Sequence, residues 1–159
     1  MKLYSTEIRW WSEEKEELFS VFESFPGSIH LEEERTDLYF PSESPDTGIK
    51  IRGEGGKLEL KWLTGKRETF MIDGKKKGII ENWIKTGFKL NDPFIFSLNK
   101  SDQELIKIQK MRQKKKFEII DDKIVHPVKK HTVNYMDCEV EFTHIRINDR
   151  QSLFSLGFE

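Results

Sequence analysis

Residues 49–62 read IKIRGEGGKLELKW, two alternating runs joined by the glycine-rich turn GEGG, a strong hairpin signal. Ile49, Ile51, Leu58 and Leu60 fall on one face of the predicted hairpin, and Lys50, Arg52, Glu59 and Lys61 on the other. A face that carries both signs of charge so regularly is what a fold has to explain. Taken alone it needs no function, because an antiparallel sheet can keep one face in water.

The same pattern recurs outward from the hairpin. STEIRWW alternates Thr6, Ile8 and Trp10 against Glu7, Arg9 and Trp11; DCEVEFTHI sets Cys138, Val140 and Phe142 against Glu139 and Glu141. LIKIQKMR adds Lys110 and Arg112 if it is a strand; the capping-box form of SDQE argues for a helix from Ser101, and the alternation is preferred. EERTDLYF and DPFIFSLNK read as extended segments, and SLFSLGFE as a last strand. Two helices are expected. Ser12 precedes the acidic run EEKEE and is read as an N-cap, with Leu18, Phe19 and Phe22 as the apolar stripe. KKGIIENWIKTG has Ile79, Ile80, Trp83 and Ile84 at helical spacing and Gly87 as a stop.

The 159 residues fit a single domain over 1–159. Lys and Arg total 27 against 28 Asp and Glu, so the net charge of -1 gives no bulk pull toward nucleic acid or acidic membrane. Any basic site has to be made by local arrangement. A lone Cys138, expected as a packed thiol, rules out an internal disulfide framework. With no apolar run of membrane-spanning length, the expected compartment is the cytoplasm. His126 and His131 flank PVKK with no Cys nearby and read as loop residues, and GEGGK lacks the spacing of a phosphate-binding loop.

If helices cover the apolar faces and the strands close on themselves, the charged faces turn inward. The fold expected is α+β: a closed or nearly closed eight-stranded antiparallel barrel, a tunnel with a charged interior and helices packed outside. The bland alternative is an open sheet whose charged face is wet. Charges inside a barrel must be paired or must hold ions and ligands. Clustered Glu with clustered Arg and Lys suits divalent cations together with a polyanion.

The order of EIRW, RTDLYF, IKIRGEGGKLELK, IQKMRQ and CEVEFTHI resembles the CYTH domain of the triphosphate tunnel metalloenzyme superfamily over nearly the whole chain. The resemblance implies an eight-stranded tunnel, a triphosphate-bearing substrate held by basic residues, and Mg2+ or Mn2+ held by glutamates. Carried onto this chain, it implies Lys50, Arg52, Lys61, Lys110 and Arg112 as phosphate ligands and Glu7, Glu139 and Glu141 as metal ligands. Where the family has E-x-E-x-K, this chain has Glu7, Arg9 and Trp11, so a metal ligand has become a cation that joins the phosphate-binding set. Two functions follow. One is metal-dependent hydrolysis of an inorganic, nucleoside or thiamine triphosphate, with Glu59 or Glu141 orienting water. The other is a weakly active or inactive module that binds a polyphosphate or nucleotide. Either way the expected partner is a small polyanion, with no membrane, and no nucleic acid beyond an RNA 5'-triphosphate end.

Overall fold

The computed structural model describes residues 2–53, 56–72, 76–90, 104–120, 123–125 and 137–159. Among the described residues nine strands and one helix follow in the order β1 (Lys2–Ser12), α1 (Lys15–Ser24), β2 (Leu31–Tyr39), β3 (Thr47–Arg52), β4 (Lys57–Ile72), β5 (Lys76–Lys89), β6 (Ile106–Ile120), β7 (Lys123–Val125), β8 (Asp137–Ile147) and β9 (Gln151–Phe158). The sheet runs β2-β3-β4-β5-β1-β9-β8-β6, and β2 pairs again with β6. The eight strands therefore close into a barrel in which every pairing is antiparallel, with β7 added to β6 beyond it. Closure removes the exposed edges that an open sheet would carry.

The opening hairpin folds as its alternation requires, with Lys50 opposite Glu59 and Ile51 opposite Leu58. KKGIIENWIKTG is a correction: it forms most of β5, between β4 and β1, and not a second helix. Its residues also alternate, Ile80, Asn82 and Ile84 against Glu81, Trp83 and Lys85. With a partner strand on each side, that period prevails over the helical one. LIKIQKMR lies largely in β6, which begins at Ile106, and SLFSLGFE supplies β9. The preferred strand reading of Lys110 and Arg112 thus holds. DPFIFSLNK, SDQ, His126 and His131 lie outside the described residues.

Helix α1 seals one flank of the barrel's outer surface. Leu18 and Phe22 are buried with Phe117, Val140, Phe142 and Leu156, and Trp10, Phe25, Cys138 and Phe158 pack around them. This is the main apolar core, and it lies outside the barrel. Ser12 is not the N-cap; that position is Glu14, whose backbone N–H donates to the Ser12 hydroxyl at 3.0 Å. The helix C-terminus is held from below by Lys115, which is buried and donates to the carbonyls of Phe22 (3.2 Å), Glu23 (3.4 Å) and Phe25 (3.1 Å). An ammonium there satisfies orphan carbonyls and suits the negative end of the helix dipole.

Since successive strand residues face opposite ways, the residues alternate to this core form the barrel's inner face. In β6 they run Ile106, Ile108, Lys110, Arg112, Lys114, and in β8 they run Ile147, Ile145, Thr143, Glu141, Glu139 in the same direction through the barrel. β1 follows suit with Trp11, Arg9, Glu7, and β9 with Leu153, Ser155, Gly157. The lumen is therefore graded. On these four strands it is apolar at the mouth where β1 and β8 end and β6 and β9 begin, and charged through its middle.

Candidate site in the barrel lumen

The inner charges join into two groups. In the first, Glu7 receives Lys61 at 2.8 Å and Lys85 at 2.7 Å, and Lys85 also holds Glu159 at 2.6 Å. The Lys61 ammonium lies 4.2 Å from the centre of the Trp83 ring, a cation–π contact on the same wall. Burial alone would raise the Glu7 pKa; the two ammonium groups outweigh it and bring it down to about 2. Lys61 and Lys85 diverge although both touch Glu7. Burial pushes Lys61 below the usual lysine value, with Lys85 and Arg9 adding to the push, whereas for Lys85 burial is outweighed by Glu7 together with a second carboxylate, Glu159, and its value is raised. Lys61 is thus the under-compensated cation of the pair.

The second group is larger. Glu141 accepts Arg9 at 3.2 Å, Arg112 at 2.9 Å and the Thr143 hydroxyl at 2.9 Å, and Lys114 bridges it to Glu139. Against the cost of burial, these cations hold the Glu141 carboxyl at about 2. Gly157 makes room for Arg9: a Cβ there would lie 3.0 Å from the guanidinium carbon. Arg112 also pairs with Glu33, which Arg35 holds at 3.3 Å, and Arg35 reaches Asp37 at 3.2 Å. Asp37 is 0% exposed and takes Lys50 at 3.0 Å, Lys110 at 3.6 Å and the backbone N–H of Gly53. Lys50 continues to Glu59 at 3.2 Å, which Arg52 and Lys57 also approach. Lys110 donates to the Tyr39 hydroxyl at 2.7 Å. Among the described residues this group joins eight cations (Arg9, Arg35, Lys50, Arg52, Lys57, Lys110, Arg112, Lys114) to five carboxylates (Glu33, Asp37, Glu59, Glu139, Glu141).

Every site residue expected from sequence belongs to one of these groups. Arg9, Lys50, Arg52, Lys110, Arg112, Glu59, Glu139 and Glu141 fall in the larger, and Glu7 and Lys61 in the smaller. The sequence reading missed Lys85, because its strand was read as a helix. It missed Glu33, Arg35 and Asp37 because LEEERTD is charged on both parities and hides its inward set. Lys114 was missed as well; its period-2 phase with Lys110 and Arg112 is the signal that places it on the inner face.

For Mg2+ or Mn2+ the carboxylates are poorly placed. Glu7 is held by two lysines and Glu141 by two arginines and a lysine, so ammonium and guanidinium groups occupy the directions a metal would need. Among the described residues no three His, Cys, Asp or Glu side chains gather where they could hold a metal ion. The residues present do not fit the implied cation. On the outer face, burial and the charge of Glu139 raise the Cys138 thiol pKa, as expected of a packed, unreactive thiol.

Fold and site together define a closed eight-stranded antiparallel barrel with one short helix and an ion-paired lumen. No protein-family model matches the chain, and no curated protein matches it in sequence. Among solved structures it is similar to a conserved hypothetical protein from Pyrococcus furiosus, with 15% identity over 96% of this chain and 78% of that one and a TM-score of 0.45. It is also similar to a protein from Pyrococcus horikoshii OT3, with 14% identity over 95% and 76% of the two chains and a TM-score of 0.43. Among the described residues no helix is long and apolar enough to cross a membrane.

Proposed function

We propose that the lumen binds the polyphosphate group of a small anion, and that the chain is a divergent relative of the CYTH, or triphosphate tunnel, proteins that works as a binding module. The observation that supports this is the imbalance in the larger group, eight cations to five carboxylates, within a closed barrel. Each of these cations has a carboxylate within reach, but the carboxylates are shared, and the excess positive charge in such a setting favours an added anion. Phosphate oxygens offer several acceptors to guanidinium and ammonium groups and so can complete several pairs together. The catalytic reading, metal-dependent hydrolysis through Glu59 or Glu141, would require Glu7, Glu139 and Glu141 to be free for a metal, and cations hold all three.

The test is calorimetric titration with inorganic tripolyphosphate at low and moderate salt. Binding should weaken as ionic strength rises, since part of the attraction is screened. Arg9→Gln with Arg52→Gln removes two cations whose side chains are not fully buried, and should lower affinity about a hundredfold, at about tenfold for each charge-assisted bond lost. Unchanged affinity in the double variant would place the anion outside the lumen.

A further inference from the structure

Three features of the molecule stand outside the ion-paired zone: the close His144–Ser152 pair on the outer face, the half-exposed apolar outer surface of β3 to β5, and the apolar mouth of the lumen. The first has no acidic partner or enclosing cavity among the described residues, and nothing shows what covers the second. The third adjoins the proposed anion site directly.

At that mouth the inner face carries Ile145 and Ile147 from the end of β8, Leu153 from the start of β9 and Trp11 from the end of β1. Ile79 completes this side, since it pairs with Arg9 across β1 and β5 and shares its inner face. Side chains on one face of neighbouring strands lie within contact range of each other. Closing a barrel end needs apolar side chains packed on one another, and Ile145, at 6% exposure, is packed so. Trp11 and Ile79 are not: they are 58% and 44% exposed, although their strands lie in the barrel wall. An indole one step above Arg9 and a branched aliphatic side chain opposite Arg9 thus face water.

We infer that this mouth is a second subsite, and that the ligand is an amphiphilic phosphate ester whose hydrocarbon group rests on Trp11 and Ile79 while its phosphates lie among Arg9 and the cations beyond. The inference rests on the polyanion reading above and narrows it to an organic ester. The charge grading fixes the ligand's orientation, phosphate inward and hydrocarbon at the rim. The wall favours a hydrocarbon over a nucleobase, which would need donors and acceptors along its edge. The polar groups on this part of the inner face are already engaged: the Ser155 hydroxyl accepts from Arg9 at 3.1 Å, the Tyr39 hydroxyl from Lys110 at 2.7 Å, and Arg67 is held by Glu81 and Asp46. On the β4–β5 side the polar groups are Thr69, directly opposite Ile79, and Lys77, which lies farther out opposite Met71.

The experiment compares inorganic pyrophosphate, geranyl diphosphate and ATP by titration calorimetry at two temperatures, on the natural chain, Trp11→Ala and Ile79→Ser. Geranyl diphosphate should bind the natural chain at least tenfold more tightly than pyrophosphate, with a more negative heat-capacity change, the signature of apolar burial. Trp11→Ala should remove most of that advantage and leave pyrophosphate affinity where it was; Ile79→Ser should remove a smaller part. Equal affinities for the two diphosphates, untouched by either substitution, would overturn the subsite while leaving the anion site in place. A Trp11-dependent gain for ATP but not for geranyl diphosphate would overturn the hydrocarbon assignment. Failure of all three ligands to bind would remove the polyanion reading and this inference with it.

Discussion

The outer and inner faces of the same strands do opposite work. In β8, Val140 and Phe142 point outward beneath Phe22 of α1 and are buried by apolar neighbours; Glu141, between them, points inward and is buried by cations. The outer contact gains from removing hydrocarbon from water, a favourable term that needs no partner of defined charge. The inner contact has to repay the desolvation of every ion, and buried pairs often do little more than break even. Stability is therefore expected to come mainly from the helix-covered face, and ligand chemistry from the lumen.

The sharpest way to break this division is Phe22→Ala. Phe22 is fully buried at the centre of the outer core, so its truncation should lower unfolding free energy by about 3–5 kcal/mol in denaturant titration. Tripolyphosphate affinity per folded molecule should be unchanged. A loss of affinity equal to the loss of stability would mean that the two faces are one cooperative unit in function as well as in folding.

Acid probes the inner face next. Glu7 and Glu141 have folded pKa values near 2 against an ordinary value of 4.5. A depressed carboxyl stabilises the fold above its unfolded pKa, and that contribution is lost as pH falls through the folded value. Stability should therefore decline between about pH 4.5 and 2, by about 3 kcal/mol for each group. Glu7→Gln should flatten its share of the slope in pH-dependent denaturant titrations.

Lys115→Met tests a polar group that serves the outer core. It keeps the stem and removes the ammonium from three carbonyls at the end of α1, at an expected cost of about 1–3 kcal/mol. Amide exchange should speed up in the last turn of α1 while the strands stay protected. Lys61 should give the smallest effect. Its pKa is depressed, so tripolyphosphate affinity should start to fall at a pH below the ordinary lysine range. Lys61→Arg, which stays charged throughout, should hold the affinity constant to higher pH.

How much of this was legible in the sequence follows from the same contrast. The inner face announced itself wherever charges kept strict parity, as in IKIR, LELK and CEVE, and those runs led to the closed barrel. β5 broke the reading because Ile79, Ile80, Trp83 and Ile84 satisfy a helical period as well as a strand's, and only neighbouring β4 and β1 decide between them. Lys85 was lost with it. The pairing itself was beyond reach: Glu7 meets Lys61 across an intervening strand, 54 residues away in the chain. Local pattern can place a charge on a face; it cannot choose that charge's partner.

Arg9 is where the account is most exposed, because it puts a fixed positive charge on Glu141 in the zone where the resemblance expects a metal. The direct measurement is calorimetric titration of tripolyphosphate into the metal-stripped protein in the presence of a chelator, repeated with Mn2+ in its place. Binding is expected without metal, with no gain from Mn2+ in the natural chain and a gain only in Arg9→Glu. Binding that appears only when Mn2+ is supplied would contradict it.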